Sequence, residues 1–193
     1  MANRWFTDTA AAGPAAIRPT LTEFEVSHFA AILEFARHRA NRDWELLRCL
    51  DAAGTRMHTM SMGLGAAPVT DLMKDAIKAG DGVRLWHNHP SQDSLSHHDW
   101  KCAATATELE VLALNERGSI FVGRMVEWDD RLNHVFPWLP RLSGDLELHM
   151  DQLAKKRKLE SSVLVELSKF TGHILNSGLA ACCPVRYAYC LTR

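Results

Sequence analysis

Residues 87–99 read His-Asn-His-Pro-Ser-Gln-Asp-Ser-Leu-Ser-His-His-Asp. Two imidazoles stand at i and i+2, and a Ser and a carboxylate follow within one short loop. The preceding run, Val83 to Trp86 (Val-Arg-Leu-Trp), predicts a short buried strand. If that strand continues through the histidines, residues two apart point to the same side, so His87 and His89 face one point in space. Pro90 offers no backbone donor and suits the strand end. Ser91 to Leu95 form a polar loop. Ser96-His97-His98-Asp99 then opens an apolar-periodic run (Trp100, Ala103, Ala104, Ala106), which projects Asp99 from the first turn of a helix back toward the strand end. His87, His89 and Asp99 are therefore the expected ligands of a zinc ion, with Ser96 beside the water in the fourth position. Three protein ligands and one open position make a catalytic rather than a structural zinc site.

Simpler readings exist for each part. Ser96-x-x-Asp99 has the spacing of a helix capping box, although Glu or Gln is the usual partner. An H-x-H pair alone is weak in a chain with 10 histidines. His97 and His98 read as exposed residues at the helix start. The combination, placed strand–loop–helix, points to a metal.

Such a hydrolase needs a carboxylate that is not a ligand, to take a proton from water and return one to the leaving amine. The glutamates upstream are Glu23, Glu25, Glu34 and Glu45. Glu25 sits three residues after Thr22 at capping-box spacing, so a structural role suffices. Glu23 shares that first turn, and Glu34 lies mid-helix facing solvent. Glu45 begins the strand-like run Glu-Leu-Leu-Arg-Cys-Leu, an unusual place for a charge. Glu45 is the expected acid/base, with Glu34 next in line.

With these residues the chain resembles the JAMM (JAB/MPN+) metalloprotease family, whose pattern is an upstream Glu, then H-x-H-P, a short loop, and S-x-x-D. The matches are Glu45, His87, His89, Ser96 and Asp99, within a resemblance covering roughly residues 20–128. His-Asn-His-Pro-Ser is also similar to the RadC branch of the same superfamily. The loop is one residue shorter than the family's: six residues, Pro90 to Leu95, separate His89 from Ser96. The resemblance implies that the two His and the Asp bind zinc, that Glu45 is the acid/base, and that Ser96 stabilises charge on the carbonyl oxygen. It implies a JAB/MPN (cytidine-deaminase-like) α/β fold, a mixed sheet flanked by helices. It implies as substrate the C-terminal tail of ubiquitin, a ubiquitin-like protein or a sulfur carrier, laid along a sheet edge by strand addition. The short link at Gly63 to Pro68 fits a bare prokaryotic core, and a bacterial enzyme of an antiviral conjugation operon is the expectation by analogy.

Composition agrees with a globular chain. Of 193 residues, 47% are hydrophobic and the net charge is −1, so nothing indicates an overall nucleic-acid-binding surface. The basic run Lys155-Lys156-Arg157-Lys158 reads as a solvated helix face. The five cysteines, Cys49, Cys102, Cys182, Cys183 and Cys190, show no C-x-x-C spacing and an odd count, which argues against a disulfide framework. With no signal-like segment and no long apolar run, a reducing cytoplasm is expected.

Along the chain, residues 1–19 read as a flexible lead-in with a short strand at Arg4 to Phe6. A helix capped by Thr22 carries Val26, Phe29, Ile32, Leu33 and Ala36 as its apolar stripe. Strands follow at 45–50 and 56–62 around a turn with Gly54. A helix bearing Val69, Leu72, Met73, Ala76 and Ile77 ends at Gly80. Beyond the metal motif, Leu109 to Leu114 and Ile120 to Trp128 are strands joined by a hairpin turn at Asn115 to Gly118. These divide the chain into the lead-in, a core over 20–135, and a helical C-terminal extension over 136–193 beginning at Pro137 and Pro140. The extension holds one helix with Leu146, Met150 and Leu153 and a longer one with Leu159, Val163, Leu167, Phe170 and Ile174, ending near Gly178. These helices pack on the core, or dock a partner or a second copy through 145–178. Tyr187 and Tyr189 carry no readable chemistry.

Three other functions compete with the isopeptidase reading. A RadC-like DNA-associated protein is favoured by Asn88 and Ser91 and opposed by the near-neutral charge. A non-catalytic MPN scaffold is opposed by the complete ligand set. A small-amide hydrolase would cleave short acyl-amino acids as fast as folded substrates.

Overall fold

The computed structural model describes residues 22–90, 94–107, 109–160, 163 and 171–190. Helix α1 (Glu23–Arg37) starts at a complete capping box between Thr22 and Glu25. Strands β1 (Trp44–Asp51) and β2 (Met57–Leu64) form a hairpin whose turn holds Gly54 at φ 65. Helix α2 (Asp71–Lys78), capped by Thr70, leads past Gly80 to β3 (Gly82–Asn88). Then come α3 (His97–Ala103), β4 (Glu110–Leu114) and β5 (Ile120–Met125). A short α4 (Leu132–Val135), α5 (Leu139–Arg157), α6 (Thr171–Cys182) and β6 (Val185–Cys190) complete the order.

The strands make one mixed sheet in the order β2-β1-β3-β4-β5-β6. The pair β3–β4, joined through α3, is parallel and the other pairs are antiparallel. The mixed α/β sheet flanked by helices is thus as expected from the sequence. Because strand side chains alternate, the sheet separates two cores by parity. Leu47, Cys49, Leu85, Val111, Ala113, Phe121, Tyr187 and Tyr189 face α2, α3 and α6. Leu46, Leu50, Trp86, Leu112, Leu114, Val122 and Ala188 face α1, which supplies Ile32. The histidines of β3 share the parity of Leu47 and Leu85, so they belong to the first face.

Several expectations are corrected. The segment after 136 is not wholly helical: Val185–Cys190 is a sixth strand, paired antiparallel with β5. Its Tyr187 and Tyr189 are buried. The last helix does not end near Gly178 but runs to Cys182, and Ile174 of its expected stripe is 49% exposed. That helix buries Thr171, His173, Asn176 and Leu179 instead. Similarly, Val26 of α1 is 49% exposed while Glu25 and His28 are buried. Glu25 pairs there with Arg84, so the capping carboxylate also neutralises a half-buried guanidinium. Strand β5 ends at Met125, before Trp128. The expected lead-in over 1–19 with its strand at Arg4 to Phe6, Ser91 of the metal loop, and Leu167 and Phe170 lie outside the described residues. Cys49, Cys102, Cys182 and Cys183 are free thiols. Among the described residues, no helix is long and apolar enough to cross a membrane.

Candidate metal centre

Strand β3 ends its ladder with β1 at the pair Leu47–His87. One residue on, Asn88 takes over from the backbone. Its Oδ1 accepts from the Leu46 N–H at 2.8 Å, and its Nδ2 donates to the Trp44 carbonyl at 2.9 Å. The His89 N–H donates to the Leu114 carbonyl of β4 at 2.8 Å. The chain therefore stays extended through both histidines, and their rings fall on one side. Asn88, the middle residue of H-x-H, which the sequence reading took only as a RadC-like mark, is the fastener; its signal was an amide standing at the end of an apolar strand.

Helix α3 brings the third group. Ser96 is its N-cap and Asp99 its third residue, and a full capping box joins them. Asp99 Oδ2 accepts from the Ser96 N–H at 2.6 Å and from its hydroxyl at 2.8 Å. The capping reading and the ligand reading are both satisfied by the same carboxylate. Its Oδ1 lies 3.1 Å from His87 Nε2, and its Oδ2 lies 3.1 Å from His89 Nε2. The two Nε2 atoms are 2.8 Å apart.

One ligand atom from each of His87, His89 and Asp99 thus converges in a buried spot, all within 4.8 Å. Ring nitrogens this close repel unless a proton or a cation lies between them, and the facing carboxylate supplies the balancing negative charge. The donor set of two neutral-capable nitrogens and one carboxylate oxygen suits zinc, and these residues could hold it. Electrostatics agree. Burial opposes the charge of Asp99, yet the two imidazoles hold its carboxyl well below the usual carboxylate range. Burial would lower His87, but the Asp99 carboxylate outweighs it and the ring's pKa is raised. Nearby, burial pushes the Cys102 thiol up to about 11, with Asp99 and Glu45 adding to the effect, so it stays protonated.

Glu45 stands two residues before Leu47 on β1, on the parity of the histidines. Burial raises its pKa; His87 and His89 pull it down, Asp99 pushes it up, and the nearby Ala67 backbone pulls it down. The Glu45 carboxyl therefore lies within electrostatic reach of His87, His89 and Asp99. Its support comes from Gly63, its partner in the β1–β2 register. A Cβ at Gly63 would collide with the Ala66 carbonyl, so only Gly lets the 63–68 link fold back and present Ala67. Glu34 is exposed. His97 is half-buried and His98 exposed, their rings 3.9 Å apart.

A second layer ties the loop to the C-terminal elements. Asn176 of α6 donates through Nδ2 to Ser94 Oγ at 2.7 Å and to the Leu95 carbonyl at 2.8 Å. Its Oδ1 accepts from Trp100 Nε1 of α3 at 2.7 Å. Ser94 also shares a hydrogen bond with the Tyr187 hydroxyl at 2.7 Å, and His173 Nδ1 lies 3.0 Å from that hydroxyl. One amide therefore grips both the residues preceding Ser96 and the helix carrying Asp99. No protein-family model, curated protein or solved structure matches the chain.

Proposed function

We propose that the protein is a zinc-dependent isopeptidase or peptidase of the JAMM (JAB/MPN+) type. Its substrate is the C-terminal tail of a ubiquitin-like protein. The observation that carries this reading is the convergence of His87, His89 and Asp99 on one buried point, with the Glu45 carboxylate on the same sheet face. Three protein ligands beside a non-ligand carboxylate are the parts a metal-assisted amide hydrolysis requires. Zinc bound there would polarise the scissile carbonyl and lower the pKa of water toward roughly 7.

The chain's own residues supply the rest. Glu45, its pKa raised by burial, is matched to a proton's round trip: it takes one from the attacking water and gives one to the leaving amine. Asn88 fastens the backbone between the two histidines, and the α3 cap holds the Asp99 carboxylate. Ser96 stands ready to donate to the carbonyl oxygen, once its hydroxyl turns from Asp99 Oδ2. Such a donor contributes about 3 kcal/mol in comparable sites. The free cysteines fit a reducing cytoplasm.

Zinc content by elemental analysis, on wild type and Asp99→Ala together, tests the centre. About one zinc per chain, lost in the variant, is expected. Glu45→Gln should then keep zinc and lose cleavage of a ubiquitin-like fusion. Absence of zinc from wild type after metal is supplied would overturn the reading.

A further inference from the structure

A cleft of ≈ 230 Å³ opens on the α1 side of the sheet, opposite the face that the His87 ring shares with Leu47 and Leu85, and His89 is among the residues that line it. It lies at the carboxyl ends of the parallel pair β3–β4, where α/β sheets commonly take ligands. It is lined by His89, Pro90, Arg37, Arg39, Arg42 and Glu116. Three arginines and one glutamate line it, on a chain whose net charge is −1. The basic residues come from the end of α1 and from a 3-10 turn at Arg39–Asn41 with its C-cap Arg42. They are held in place: Arg37 Nε donates to the Glu116 carbonyl at 2.9 Å, joining α1 to the β4–β5 turn. His38 accepts from the Ala40 N–H and caps the turn. Among the described residues, no ion pair engages Arg39 or Arg42.

We infer that this cleft binds carboxylate side chains of the substrate, so that the enzyme selects a substrate that carries an acidic peptide segment. A lining of exposed guanidiniums steers anions and repels a basic tail, which makes charge the discriminator rather than shape. The peptide nature of the occupant rests on the hydrolase reading above; its charge rests on the cleft alone. A tail rich in Lys or Arg is the wrong partner for this surface.

The test uses the full chain supplied with zinc, and fluorescein-labelled peptides of equal length: Glu-rich, Lys-rich and uncharged Gly-Ser. Anisotropy should show the Glu-rich peptide binding about tenfold more tightly than the uncharged one, with the difference shrinking as salt rises. Arg39→Ala/Arg42→Ala should abolish that preference. Both positions are exposed, so folding is expected to survive, and circular dichroism checks it. Equal binding of the Glu-rich and uncharged peptides, or a preference that survives the double substitution, overturns the inference. A single-stranded oligonucleotide that binds while the Glu-rich peptide does not would overturn it in favour of a phosphate site. Zinc content is measured on the same samples, so acidic-peptide binding without zinc would sink the hydrolase reading and leave the cleft's charge selectivity standing.

Discussion

The side-chain amide of Asn176 reaches back to the hydroxyl of Ser94, 2.7 Å away and 82 positions earlier in the chain. With its bonds to the Leu95 carbonyl and the Trp100 indole, this contact makes α6 a support of the metal loop.

Asn176→Ala leaves buried partners without a mate, at a cost of about 2–3 kcal/mol. Urea denaturation should register that loss. If the bonds also position the loop, zinc affinity falls at least about tenfold, as for outer-shell partners elsewhere. Competition with a chelating dye reads it, and unchanged affinity would reduce Asn176 to packing.

Gly123 on β5 has no room for a side chain. A Cβ there would lie 2.5 Å from Leu95 Cδ1 and 2.9 Å from the Trp100 ring. Gly123→Ala should push Trp100, and with it the helix bearing Asp99, at a cost of about 1–3 kcal/mol. Weaker zinc binding beside the lower stability is the expected pair of changes.

Gly63→Ala strikes the opposite side of the site. Displacing the Ala66–Ala67 link moves the backbone that faces Glu45. Zinc stoichiometry should hold while the rate of cleavage falls, a separation that Asp99→Ala cannot show.

Metal removal should soften the fold. On the proposed reading, zinc would bind the folded chain's converged His87, His89 and Asp99 and would find no such set in the unfolded chain. At free zinc about 100-fold above Kd it stabilises by about 2.7 kcal/mol. A melting temperature that ignores both zinc and chelator would contradict the site.

Alkaline pH should destabilise the protein through Tyr187. Burial holds this phenol's pKa far above its ordinary value. In the unfolded chain it ionises near about pH 10. Above that pH the folded state binds more protons than the unfolded, so stability falls as pH rises; below it the contribution is flat. Urea midpoints taken across that range should show a shallower decline for Tyr187→Phe, on top of a constant loss from its missing hydrogen bonds to Ser94 and His173.

How legible these features were follows from what the residues do. His87, His89 and Asp99 could be placed because strand parity and helix capping are local rules, and Glu45 because a charge at a strand's start stands out. Helix α6 was set in the wrong phase because its buried side carries Thr171, His173 and Asn176. An apolar-stripe reading selects Ile174, which faces outward. The same substitution of hydrogen-bonded polar groups for aliphatic ones hid Glu25 and His28 in α1. Strand β6 was missed although Val185, Tyr187 and Tyr189 alternate, because its need for a partner is met by β5, some 60 residues upstream in the register Gly123–Tyr187. The Arg cleft was invisible because His89 and Arg39, which both line it, meet only in three dimensions.

The bond between Ser94 and Tyr187 spans 93 positions. At ribosomal speeds of roughly 5–20 residues per second, the loop is made some 5–20 s before its anchor. A nascent chain therefore carries all three ligands well before β6 exists to clamp them. Order in this loop is in this way a late event of synthesis, deferred until β6 has been made.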